Sequence, residues 1–308
     1  MPLSPVAPAL WVGAVQSSLG VILHSGWPRV IGYLRTMFTA TPGAAAPLDV
    51  ARALAEGLVA GLAHGLALGA AAQSFAWPFL FGRAAVLPGA APGAWDAATL
   101  GAAAGLAWLL WDSWRAAWMR RAGAPSVWTL GAAAIPCALL ELRLGGWAER
   151  LEAGAAVGLL LVVTGRTLRL AERWSADPPS ASAALPPWLA LCGGLVAGLG
   201  ALPGLSAVAL LLVAGLYGRL SPGGAARFAL MAATAVLAVR GLAGVPALVT
   251  PMQASYVPLA IAAAVGAAAG GALLLRLLEA GEVRALPVLS SYCTALGGLL
   301  LVFGVLQR

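Results

Sequence analysis

Charge is what this chain has least of. Charged residues make up 9% of its 308 positions, lysine is missing altogether and there are 2 histidines, whereas a soluble domain is roughly a quarter charged. So little charge cannot solvate the surface of a soluble globule. The 18 basic residues, all arginine, are dispersed among short segments, and no basic patch is interleaved with aromatics, which excludes a nucleic-acid footprint. The lack of lysine beside abundant alanine, glycine and proline reflects a GC-rich genome rather than chemistry. Cysteine is scarce too: Cys137, Cys192 and Cys293 are far apart in apolar segments, so they form no disulfide framework or metal motif and read as small buried hydrophobes. Alternating polar and apolar ten-residue segments are absent, which argues against a membrane β-barrel. The N-terminus lacks a basic region ahead of its apolar run, so an uncleaved apolar helix is expected there instead of a signal peptide.

What the chain has is hydrocarbon. It is 61% hydrophobic with a mean hydropathy of +0.91, and apolar runs of about 17–25 residues recur along it, each able to cross a bilayer as a helix. This predicts an all-α polytopic membrane protein. Residues 1–50 read as an N-terminal extension with one apolar helix, 51–171 as a first block, 172–186 as a polar, proline-rich linker and 187–308 as a second block. The first block has an interrupted apolar stretch at 51–82 and spans near 97–119, 126–142 and 153–171. The second repeats that order, with an interrupted stretch at 187–217 and spans near 226–245, 256–278 and 286–306. GLAHGL at 61–66 and GLVAGL at 194–199 open the two interrupted stretches, and small residues and then Ser74 or Ser206 follow. Together these argue an internal repeat.

Arginine placement orients it. Arg115, Arg120 and Arg121 follow the first span and Arg166, Arg169 and Arg173 the third, so these ends and the 172–186 linker are expected in the cytoplasm. In the second block the same rule puts the C-terminus outside. Three spans between the interrupted elements is an odd number, so the second block enters from the opposite face: an inverted-topology repeat, each half a broken re-entrant hairpin plus three transmembrane helices. Such repeats place ligands near the midplane, where broken helices expose backbone N–H groups to anions. Pro203, Gly204 and Ser206, in the middle of GLGALPGLSAVALLLVAGLYGR, then mark a break whose freed amides face a cavity.

The stretch GLVAGLGALPGLSAVALLLVAGLYGRLSPGGAARFALM resembles the second signature of the bacterial undecaprenyl-diphosphate phosphatases of the bacitracin-resistance type, GxxQGLAxxPGxSRSGATI followed by AAxFSFLL. GLAHGLALGAAAQSFAW at 61–77 aligns with their first signature, GxxQGLTEFLPVSSSGH, and the likeness covers roughly 51–306. The resemblance implies the family's fold, a membrane-embedded site for the pyrophosphate of a C55 lipid, and a bacterial inner membrane location. It also implies a catalytic set of acidic residues, serines, a histidine and an arginine, and here that set is largely replaced. His64 stands at the first Glu or Gln position, Leu68 at the glutamate, Ala71 at the proline, Gln73 at the first serine and Trp77 at the histidine; Ala207 replaces the arginine and Val208-Ala209 its Ser-Gly, while Ser74 and Ser206 agree. Loss of a phosphoryl-clamping arginine costs about 10³–10⁵ in rate. The expectation is a kept fold with an erased catalyst.

Candidate ligand-binding residues are His64, Gln73, Ser74, Gly204, Ser206 and Arg240, of which His64, Ser74 and Ser206 are also weak catalytic candidates. Each has a plainer reading. His64 can be a neutral histidine bonded to a carbonyl, the serines and Gln73 can satisfy helix-end groups, and Arg166, Arg227, Arg240 and Glu141, near span ends, can snorkel to headgroups. Arg240 stands apart, at a place where a displaced phosphate-binding arginine could sit. Glu56, before the first break, reads as an exposed helix-start residue, and tryptophans such as Trp95, Trp108, Trp111, Trp114 and Trp118 suit interfacial belts. Three functions remain open: a non-hydrolysing protein that binds or translocates a polyprenyl (pyro)phosphate in envelope lipid recycling, a phosphatase with a rearranged site, or a structural subunit docking a membrane partner through residues 1–50. No cofactor is expected, a divalent metal being needed only for the phosphatase.

Overall fold

The structure is a computed structural model that describes residues 45–70, 73, 94–120, 125–148, 154–175, 185–244, 256–280 and 285–306. Ser74, Trp77, residues 1–44 and most of the 172–186 segment lie outside these. Residues 53–308 form one compact unit and Met1–Arg52 another. Among the described residues every regular element is helical: α1 (Ala45–Gly65), α2 (Ala94–Leu109), α3 (Trp111–Trp118), α4 (Val127–Ala148), α5 (Gly154–Ser175), α6 (Pro187–Ala197), a 3-10 turn at Gly198–Ala201, α7 (Ala207–Tyr217), α8 (Pro222–Ala243), α9 (Tyr256–Glu279) and α10 (Ala285–Leu306). Within α4, α5, α8, α9 and α10 lie apolar stretches long enough to cross a membrane, so the chain is a multi-pass helical membrane protein.

The span expected over 97–119 is interrupted. Leu110 leaves helical geometry at φ −96°, ψ 13°, and α3 follows with the sequence WDSWRAAW. Asp112 and Arg115 cannot enter hydrocarbon cheaply, and the neighbouring Trp108, Trp111 and Trp118 are exposed, a composition that belongs at the headgroup level.

Both breaks form for local reasons. In the second, Pro203 bars helical geometry at the residue before it, and Leu202 is extended (φ −72°, ψ 131°) after the 3-10 turn. Gly204 then takes φ 115°, open in practice to glycine alone, and Ser206 caps α7 by accepting the Ala209 N–H at 3.3 Å. In the first, α1 closes in a Schellman arrangement: the Leu68 N–H reaches the Ala63 carbonyl at 2.9 Å, with Ala67 left-handed at φ 61°. Gly69 turns the chain at φ 74°, and the Gln73 N–H returns to the Gly69 carbonyl at 3.2 Å. The two breaks touch, since a Cβ on Gly69 would stand 3.0 Å from the Gly204 carbonyl oxygen.

Small residues set the helix packing, as they do where lipid removes any hydrophobic drive between helices. A methyl on Gly101 or Gly105 of α2 would collide with the Ala260 or Ala264 carbonyl of α9, and one on Gly57, Gly61 or Gly65 of α1 with the Leu259, Ala263 or Ala267 carbonyl on the adjoining face of α9. In α5 and α10, Gly158 and Gly297 face each other reciprocally, a Cβ on either standing 2.6 Å from the other's carbonyl oxygen. The Ser290 hydroxyl of α10 donates to the Gly165 carbonyl of α5 at 2.7 Å. From this pair Thr164 donates to the Gly204 carbonyl at 2.7 Å, and Tyr292 donates to Gln73 Oε1 at 2.6 Å. α8 runs through the interior, with Phe228, Leu230 and Met231 fully buried.

Candidate functional site

A pocket opens where the ends of α1 and α8 meet α4 and the two breaks. Its polar lining is His64, Trp95, Glu141, Ser206 and Arg240, set among Ala63, Gly69, Ala70, Gly200, Leu205, Ala207, Val208, Ala233, Val236 and Leu237. Its volume, about 40 Å³, matches about three water molecules at 10–15 Å³ each.

Each polar group reaches the pocket from a helix end or a deep helical position. His64 sits in the last turn of α1, Arg240 in the last turn of α8, where a cation complements the helix dipole, and Ser206 at the N-cap of α7. Glu141 comes from α4, five residues beyond its internal Pro136. The Arg240 guanidinium lies 3.6 Å from Glu141 Oε2, with Glu141 5% and Arg240 26% exposed. It also stacks 5.9 Å above the Trp95 ring, whose centroid is 6.1 Å from that of His64. The arrangement is one buried ion pair roofed by an aromatic ring. Asp96 at the start of α2 is within electrostatic reach of Arg240.

Two buried atoms in this pocket have no hydrogen-bond partner among the described residues, His64 Nε2 and Glu141 Oε2. A separation of 3.6 Å pairs Glu141 with Arg240 in charge but is too long for a hydrogen bond. Buried polar atoms without partners are uncommon and each calls for a reason. Glu141 Oε2 is an acceptor and calls for a proton or a donor, while Arg240 and the amides at the start of α7 can meet an anionic guest.

Among the residues singled out from sequence, the structure brings His64, Ser206 and Arg240 together. Gly204 stands just outside, its carbonyl occupied by Thr164. Gln73 does not line the pocket: its amide donates to the Leu68 carbonyl at 3.2 Å and accepts from Tyr292, which is the helix-end role. Ser206 lines the pocket but also spends its oxygen on the α7 cap. Leu68 packs against the core, and Glu56 is not part of the lining. Sequence reasoning missed Glu141, which is buried instead of snorkelling, and Trp95, which lies over the ion pair instead of joining an interfacial belt.

Among the described residues no three His, Cys, Asp or Glu side chains gather as a metal would require. The carboxylate that lines the pocket already faces Arg240, so the donor set does not fit a divalent cation. No curated protein matches the sequence. The model of the bacitracin resistance protein BacA family, however, matches residues 54–299. That stretch holds the pocket, both breaks and the packed helices α2 to α9, and the chain belongs to the BacA family.

Proposed function

We propose that this chain is a non-hydrolysing member of its family that holds the phosphate end of a polyprenyl phosphate or diphosphate in the pocket beside Arg240. The observation that carries the reading is the pocket itself: Arg240 and the N-terminus of α7 converge on one small cavity. An arginine and helix-end amides are what a phosphate recognises. The family acts on polyprenyl diphosphates, which supplies the lipid class.

Non-hydrolysis follows from what stands at the signature positions. Leu68, Trp77 and Ala207 supply no base, no proton donor and no clamp for a leaving phosphate. Glu141 is the single carboxylate among the described lining residues, so the family's acidic pair has no counterpart there. The protein then needs no metal. The recurring order of elements, and the reciprocal approach of Gly158 and Gly297, support two halves of inverted topology. Such halves suit alternating access and passage of the headgroup across the bacterial inner membrane, with the C-terminus outside the cytoplasm.

A second reading, a phosphatase with a rearranged site, draws on the same gathering of His64, Glu141, Ser206 and Arg240. One experiment separates the two: purified protein is given a C15 or C55 prenyl diphosphate, and phosphate release is followed beside lipid binding. Binding without turnover, lost in Arg240→Gln, is expected. Metal-dependent release abolished by His64→Ala would overturn non-hydrolysis, and failure to bind any prenyl phosphate would overturn the binding role.

A further inference from the structure

We propose that the pocket takes up a phosphate monoester together with a proton, and that Glu141 is the group that receives the proton. The inference rests on the binding reading above and adds a coupling to it. Arg240 is the one arginine among the described lining residues, and Glu141 already stands 3.6 Å from it. An incoming phosphate needs the same guanidinium. Once it takes it, Glu141 is left 5% exposed beside a second anion, with one cation between them.

Among the described residues no second arginine faces Glu141. α6, the 3-10 turn and α8 pack against α4. Of these, α8 brings Arg240 to Glu141, while α6 and the 3-10 turn, with sequences PWLALCGGLVA and GLGA, bring no charge. Across the pocket stands His64 of α1, and Asp96 at the start of α2 is within electrostatic reach of Arg240 without lining the pocket. Cys137, one turn earlier on α4, is fully buried. A carboxylate that loses its partner in such a place takes a proton instead of remaining charged. The Oε2 atom, which has no hydrogen-bond partner among the described residues, is where that proton can settle.

The balance is simple. Above the second ionisation of a phosphate monoester, near pH 6, the ligand arrives as a dianion and the proton comes from water. The Arg240–Glu141 pair opens, Arg240 engages a phosphate oxygen, and Glu141 becomes a neutral acid. One proton is consumed per ligand bound, so affinity falls about tenfold for each unit of rising pH.

The test is titration calorimetry at pH 8 in buffers of different ionisation enthalpy, with inorganic phosphate in one arm and a C15 prenyl monophosphate in the other. Tighter binding of the prenyl compound assigns the site to a lipid headgroup, and equal binding assigns it to free phosphate; one proton per ligand is expected in both cases. At pH 8 Glu141→Gln is expected to bind more tightly than the wild type, with no proton taken up and with an affinity that no longer falls as pH rises. Infrared difference spectra of the wild-type protein should show a new protonated-carboxyl stretch on binding. Binding with no proton uptake, uptake that survives Glu141→Gln, or no new carboxyl band overturns the coupling and leaves the binding role standing. Failure of both ligands to bind overturns both.

Discussion

The two helix breaks reach the same pocket by different chemistry. The second is built from backbone restrictions: Pro203 forces Leu202 extended, Gly204 turns at φ 115°, and Ser206 starts the next helix. The first has no proline; a Schellman closure at Ala67, Gly69 and the side chain of Gln73 do the work instead. Both are held from outside, by Thr164 and Tyr292 respectively. Neither carries a charge of its own. His64 arrives from the helix before the first break, Glu141 and Arg240 from α4 and α8. The breaks therefore shape the pocket, and the spans around them charge it.

That division can be broken experimentally. The largest effect is expected from Arg240→Ala, which strands Glu141 in the interior and should lower stability by about 3–5 kcal/mol; thermal melts in detergent would show it, and adding Glu141→Gln should recover most of the loss. Gly204→Ala places a Cβ 2.6 Å from the Val157 carbonyl oxygen at a φ that L-residues avoid. A loss of about 3 kcal/mol is expected, against about 1–2 kcal/mol for Gly69→Ala, whose φ is ordinary left-handed helix. If the two glycine variants melt alike, the asymmetry between the breaks is wrong. Gln73→Leu removes the bond to Tyr292 and should cost about 1–3 kcal/mol, with little change in phosphate binding. The smallest effect, about 1 kcal/mol, belongs to Ser206→Ala, which loses the α7 cap; if it abolished binding instead, the Ser206 hydroxyl would be a ligand contact.

The helices were legible because hydrocarbon length and helix breakers act locally. Pro203 and Gly204 announce the second break in five residues of sequence, and the interruption at Leu110 could have been read from Asp112 and Arg115. The first break was harder, since Ala67 takes a left-handed conformation that no alanine advertises. Arg240 stood out as a lone charge in AVLAVRGLAG. Glu141 did not, because CALLELRLG gives it Arg143 as a neighbour and looks like an ordinary end of a span. Its true partner is 99 positions away, and nothing local ties residue 141 to residue 240. Trp95 was hidden for the same reason, as one tryptophan among 12.

The α5–α10 pair works like a shared axle. Its two helices are pinned by Ser290 to Gly165, and each reaches out to one break, α5 through Thr164 and α10 through Tyr292. Any slip of one helix along the other must be absorbed at both rims of the pocket together, or break these three hydrogen bonds. The two sides of the chamber are thereby geared to each other through a shaft that never touches what the chamber holds.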